Sequence, residues 1–404
     1  MQRLIRFVCL ATIVGLGVPA AHARTLREDL RNASQSVGLA GGTSFDALAD
    51  VIADTAARSI PVVSASAGFT YHFNKDLDIF ERTSETLGPI LLERPDTLGR
   101  SKFNVNVSFQ FVRFDAFDGD SIKKLQAPDP IVVKVTSGGA LVGFTANQLR
   151  YRLKIDDYIT AFSLTYGILD DLDVNVLVPV IETNFETGVT SQQVAIAGPD
   201  GAFSRAVGPP AFGDVSDDKF GLGDILLRFK YQLPRLSILR WAAGLQLRMP
   251  TGYQADFQGV DTFEASPALF ASTVLWGRVT PAFNAAIDLR ADDVARSQAR
   301  YSLGADVDVV PRLGLSFAFL GRSEFARSSP AGETSFQHLH GGVTVQEPLL
   351  GLDFGRKDFV DFAFGLRGVV WHEVMLFLNG IYAVNDQGLR NQTIIPTIGV
   401  EGTF

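Results

Sequence analysis

The chain has 404 residues, of which 46% are hydrophobic and 20% charged, with a formal net charge of −8 and a mean hydropathy of +0.15. That acidic balance argues against nucleic acid as a partner, because phosphate binding needs a basic surface. Hydropathy is high for a water-soluble chain. Yet no run of 18 apolar residues occurs beyond the N-terminus, which excludes helical membrane spans.

Arg3 and Arg6 precede an apolar run from Phe7 to Val18, and Ala21-His22-Ala23 follows. This pattern reads as a secretory signal over 1–23, cut after Ala23; an uncleaved anchor is the alternative, although the run is short for one. The single cysteine, Cys9, falls inside it. No thiol remains beyond it, so disulfides, a cysteine nucleophile and thiolate metal sites are not expected.

Residues 24–101 form a separate N-terminal segment. Leu48, Val51, Ile52 and Thr55 stand at helical spacing between Phe45 and Arg58; Thr43 and Asp46 form a capping pair and Pro61 stops the helix. Such a helix would plug the lumen of the barrel read below or sit in the periplasm, and a loosely ordered leader is the alternative. Residues 62–73, with Phe69, Tyr71 and Phe73, offer one further strand. Residues 87–100 contain Gly88, Pro89, Pro95 and Gly99, which suit no membrane strand. They also carry Ile90, Leu91, Leu92 and Leu98, which fare badly in bulk water. A place inside a barrel reconciles the two, since irregular backbone is then shielded from lipid.

From Lys102 a dyad pattern takes over. Ile225, Leu227, Phe229 and Tyr231 share one face of a strand, while Asp224, Leu226, Arg228 and Lys230 share the other. Phe103 to Phe111, Leu172 to Val180, Trp241 to Met249, Phe283 to Leu289, Tyr301 to Val309 and Phe362 to Leu366 repeat this alternation, many over about ten residues or more, the length of a tilted membrane strand. A soluble sandwich also alternates, but usually with shorter strands. Short connections near Asp170, Pro234, Arg278, Pro311 and Glu373 alternate with long ones at 115–148, 187–220, 250–264 and 326–357. The expected fold is therefore all-β, a transmembrane antiparallel β-barrel over 102–404. Its twelve strands are expected at about 102–114, 148–168, 171–187, 221–233, 237–250, 264–276, 279–291, 298–310, 312–326, 358–371, 374–386 and 392–404, with fourteen as the alternative.

One strand shifts phase. Leu149, Tyr151, Leu153 and Ile155 are apolar at odd positions, whereas Tyr158, Phe162, Leu164 and Tyr166 are apolar at even ones. A β-bulge at Asp156-Asp157 is expected to restore one face to lipid, a turn there being the alternative.

Local motifs resemble the outer-membrane family of "MetA-pathway of phenol degradation" transporters, similar in architecture to the long-chain fatty acid channels. The motifs run in order from Leu87-Gly88-Pro89 through Glu93-Arg94-Pro95-Asp96-Thr97-Leu98-Gly99-Arg100 and Tyr166-Gly167, with Asp170 to Pro179 following. Gly221-Leu222-Gly223-Asp224 before Lys230-Tyr231, Met249-Pro250-Thr251-Gly252, Asn385-Asp386 with Gly388-Leu389-Arg390, and Gly399-Val400-Glu401 before Phe404 complete them. The resemblance implies a channel for small hydrophobic or aromatic compounds, without cofactor, in the outer-membrane lipid. A terminal aromatic such as Phe404 resembles the signal read by the barrel-assembly machinery.

The expected substrate path is bordered by Ile90, Leu91, Leu92, Glu93 and Arg94, with Arg228, Arg240 and Arg248 from the wall. Competing readings are a structural or adhesive barrel with a closed lumen, and a lipid-hydrolysing enzyme. For the latter the five histidines show no nucleophile signature. Asp306 and Asp308 are expected to pair with inward arginines such as Arg290 and Arg367 rather than to act as catalytic carboxylates. His338 with His340, and the acidic group Asp214, Asp217, Asp218 and Asp224, match no metal-site spacing, so no metal is expected.

Overall fold

A computed structural model of the chain describes residues 24–35, 46–58, 71–74, 79–82, 92–126, 130–235, 238–326, 335–340, 343–348, 355–371 and 373–404. The signal expected over 1–23, together with Ile90 and Leu91, lies outside them.

Twelve antiparallel staves close into a barrel. They are β1 (Phe103–Phe114), β2 (Ala140–Leu169), β3 (Leu172–Ala197), β4 (Pro210–Leu222, continued as Ile225–Gln232) and β5 (Arg240–Met249). Then follow β6 (Glu264–Ser272), β7 (Val279–Arg290), β8 (Gln298–Val310), β9 (Leu313–Glu324), β10 (Asp358–Trp371), β11 (Val374–Ala383) and β12 (Ile395–Thr403). Each pairs with the next in sequence, and β12 pairs with β1 from Thr397↔Gln110 to Thr403↔Asn104. Phe103 and Phe404 seal that seam: each backbone N–H donates to the other's carbonyl, at 3.0 and 2.8 Å, and the rings stack at 5.4 Å. Among the described residues the count is twelve, not fourteen. Tyr71–Asn74, offered as a further stave, pairs instead with Ile79–Arg82 in a separate hairpin.

The dyad sorts the two faces as alternation requires. Phe109, Phe162, Leu164, Leu269, Leu303, Phe319, Leu378 and Ile398 stand exposed on the outside, whereas Asn104, Asn106, Asn175, Arg228, Lys230, Asp288 and Arg367 are buried inside. An outward apolar belt around a polar interior is stable only in lipid, where it costs nothing and every backbone group is paired along the ladder.

β2 and β3 run 30 and 26 residues, far beyond the roughly 9–11 that cross a bilayer. Parts of the expected long loops 115–148 and 187–220 are thus strand, carrying the wall past the membrane. The expected bulge at Asp156-Asp157 is absent, as is a turn. β1 pairs with β2 without interruption from Phe103↔Tyr166 to Phe114↔Ile155, and the β2–β3 register shifts only at Ala146/Asn147 and Gly167/Leu169. Odd positions from Leu149 to Gly167 face inward. What inverts is the chemistry. Beside lipid, Leu164 points out and Ser163 and Thr165 point in. Above it, Arg152 and Lys154 point into water, where they pair with Asp214 and Glu186, while Leu149, Tyr151, Leu153 and Ile155 turn onto an internal core.

That core is helical. α1 (Leu26–Gln35) and α2 (Asp46–Arg58) lie inside the extended end of the barrel. Leu26, Leu30, Ala33, Ile52 and Ala53 pack with Ile122, Leu125, Phe185, Val189 and Phe257. Sequence reading missed α1, yet its start is a capping box: Glu28 N–H donates to the Thr25 hydroxyl and Thr25 N–H to the Glu28 carboxylate, at 3.2 and 2.9 Å. Asp256, from the loop after β5, accepts from Leu26 N–H at 3.0 Å and so caps α1 a second time. Arg27 pairs with Asp50 across the two helices.

Candidate functional site: a cationic cavity in the lumen

Between the helical core and the segment 92–100 lies a cavity of about 380 Å³. Its helical side is the last turn of α2. Arg58 there pairs with Asp54 at 2.9 Å and with Glu264 of β6 at 2.7 Å, and Arg290 of β7 reaches Asp54 at 2.8 Å. These charges hold the Asp54 carboxyl well below the usual carboxylate range, overcoming its burial. Arg248 joins the same belt, 3.1 Å from Glu264 and 3.5 Å from Asp224. Asp224 sits where β4 is interrupted and accepts from the N–H groups of Gly252 and Val260 at 3.1 and 3.0 Å, tying the following loop inward.

The opposite side is the 92–100 segment, pinned to the short-turn end of the wall. Leu98 N–H donates to Asp173 at 2.9 Å and the Thr97 hydroxyl to the Asp170 carbonyl at 2.6 Å. Lys230 is the main clasp. Its ammonium donates to the Glu93 carboxylate and to the carbonyls of Arg94 and Asp96, at 2.8, 3.0 and 2.7 Å, using all three of its protons. Arg240 adds an ion pair with Asp96 at 2.6 Å.

Of the residues read from sequence, Leu92, Glu93, Arg228 and Arg248 line the cavity. Leu92 is buried against Ala282, Ala318 and Leu320, and Arg228 donates through Nε to Asn175 at 2.8 Å. Arg94 and Arg240 do not line it: Arg240 is spent on Asp96, and Arg94 is buried in the field of Asp96, Arg240, Arg367 and Glu401. The ion pairs expected for Asp306 are corrected too. It accepts from the Ser316 hydroxyl and makes no ion pair among the described residues, while Arg367 pairs with Glu401 at 3.1 Å. Strand register decides this, because Ser316 stands directly opposite Asp306.

Sequence reading missed Arg58, Asp288, Arg300, Arg322, Phe359, Asp361 and Arg390, all of which line the cavity. Arg300 clamps Asp288 at 2.8 Å and Arg390 reaches Asp361 at 2.8 Å. The inward phase of Arg300 and Arg322 was readable from their strands; their convergence with Arg58 was not.

A closed twelve-stave barrel with an apolar belt, a charged lumen and an internal plug defines a transmembrane protein of the bacterial outer membrane. Residues 133–325 match the family model described as "Putative MetA-pathway of phenol degradation", so the resemblance read from the local motifs is borne out over that stretch. Among solved structures, the chain is similar to an outer membrane channel from Pseudomonas putida F1, at 12% identity and a TM-score of 0.47 over 76% of this chain and 97% of that one. It is also similar to a Pseudomonas aeruginosa FadL homologue, at 10% identity and a TM-score of 0.31 over 75% and 89%. No curated protein matches the sequence.

Proposed function

We propose that the barrel is a passive outer-membrane channel for small hydrophobic or aromatic solutes, which pass through the cavity when the plug yields. The observation that supports this most is the cavity itself. A barrel built only as a scaffold gains nothing from an internal space of about 380 Å³ floored by Leu92 and ringed by charges, whereas ligand sites are concave spaces of roughly this size with a few convergent polar groups. The matched family description, which concerns phenol degradation, agrees with an aromatic solute.

A closed structural barrel is the second reading. It is favoured by the helical core, which fills the extended end with Leu26, Leu30, Ile52, Phe185 and Phe257. Uptake of a radiolabelled monoaromatic compound by cells with and without the chain separates the two. Faster uptake supports the channel. Unchanged uptake, with folded barrel present in the outer membrane, would establish the closed scaffold instead.

A further inference from the structure

The charges around the cavity do not balance. Arg58, Arg248, Arg300 and Arg390 each face a carboxylate, namely Glu264, Asp224, Asp288 or Asp361. Arg322 faces none. It is half-buried, lines the cavity, and makes no hydrogen bond or ion pair among the described residues. Its guanidinium carbon lies over the Phe359 ring at 3.9 Å, and that of Arg390 lies over the same ring at 4.9 Å.

Such stacking covers one guanidinium face and leaves the in-plane N–H donors unspent. Register places Arg300 directly opposite Arg322, and Arg58 and Arg390 add further positive charge. Neither acid acting on Arg322 pairs with it directly: Asp54 pairs with Arg58 and Arg290, and Glu324 accepts from the Lys357 N–H. A positive guanidinium in a recessed, low-dielectric site is costly without a counter-charge. A solute anion would supply it.

The remaining lining is apolar where a solute body would lie, with Leu92, Phe114, Phe270, Leu320, Leu389 and Ile395 among it. We propose that the cavity binds an amphipathic monoanion, a carboxylate on a small apolar body, with the carboxylate held by Arg322 on its Phe359 platform and the body against the apolar lining. Guanidinium and carboxylate match as a bidentate pair. This names the solute class of the channel and, as a transport statement, rests on that reading.

Titration calorimetry of the purified barrel with benzoate and with benzamide, its neutral isostere, tests the inference. Benzoate is expected to bind at least about tenfold more tightly, the span of one charge-assisted hydrogen-bonded pair. Arg322→Gln should bring benzoate down to the level of benzamide, and 0.5 M salt should weaken benzoate alone, as screening requires. Equal binding of the two by the wild-type barrel would overturn the inference even if the variant failed to fold. So would inorganic phosphate binding as tightly as benzoate, because the apolar lining would then contribute nothing. Absence of a benzoate preference in the wild-type barrel, with monoaromatic uptake intact, would sink this inference and leave the channel standing. Benzoate binding without uptake would do the reverse.

Discussion

The inversion of face chemistry along β2 makes a prediction that separates the observed strand from one with a bulge. Leu153 and Leu164 are both leucines of one strand, eleven positions apart, and lie on opposite faces. Leu153 is 2% exposed and belongs to the internal core, whereas Leu164 is 51% exposed within the outer belt. Leu153→Ala removes buried side-chain volume from a packed core and should cost about 2–5 kcal/mol. Leu164→Ala leaves lipid to fill the space and should cost less, while Leu164→Arg puts a guanidinium into the belt at about 2–4 kcal/mol near the midplane. Arg152 already projects into water beside Asp214, side-chain exposures being 63% and 65%, so Arg152→Leu should change stability little. Reversible folding from urea into phospholipid vesicles, followed by tryptophan fluorescence and gel mobility without heating, measures all four. A neutral Leu153→Ala combined with a costly Arg152→Leu would mean that Leu153 faces lipid and Arg152 the lumen, as a bulge would place them, and the inversion would be refuted.

Leu227→Arg should destabilise the barrel by a similar 2–4 kcal/mol, whereas Arg228→Gln should be far milder in the same assay, because Leu227 faces lipid and Arg228 the lumen; equal effects would contradict the phase of β4. Deleting Phe404 removes both a stacked ring and the two backbone hydrogen bonds to Phe103, so the yield of heat-modifiable barrel in the outer membrane should fall. Unchanged yield would remove both the seam and the assembly-signal reading of that residue. Asp292, in the loop after β7, is lowered from 3.8 to about 2, first by its hydrogen bond with Arg290. A lowered carboxyl stabilises the fold above the unfolded value and loses that contribution as pH falls from about 4 to 2. Asp292→Asn should therefore flatten the acid limb of a pH–stability curve over that window, and an unaltered limb would show that the pair contributes nothing.

Barrel class, stave number and lipid face were legible in the sequence because a strand's period of two is local: Phe103, Leu227 and Leu303 declare their side without reference to any partner. The 92–100 segment was legible by contradiction, since Pro95 and Gly99 beside Leu92 and Leu98 fit neither lipid nor water. One reading failed where local pattern depends on height above the membrane, and one helix went unread because its partners are distant in sequence. The apolar odd positions Leu149 to Ile155 imitated a lipid face because water and lipid exchange places outside the wall once β2 leaves the bilayer. The helix α1 declared itself through Thr25 and Glu28, but its partners Phe185, Val189 and Phe257 lie more than 150 residues further along the chain, so nothing nearby showed that Leu26 and Leu30 have a core to enter. The cavity is wholly a tertiary product. Arg58 ends a helix, Arg300 and Arg322 lie on neighbouring staves, and Phe359 and Arg390 come from the far side of a long connection. Each is unremarkable in sequence; only barrel closure and the packing of the plug bring them round one space, because convergence is set by register and curvature, which no local period encodes.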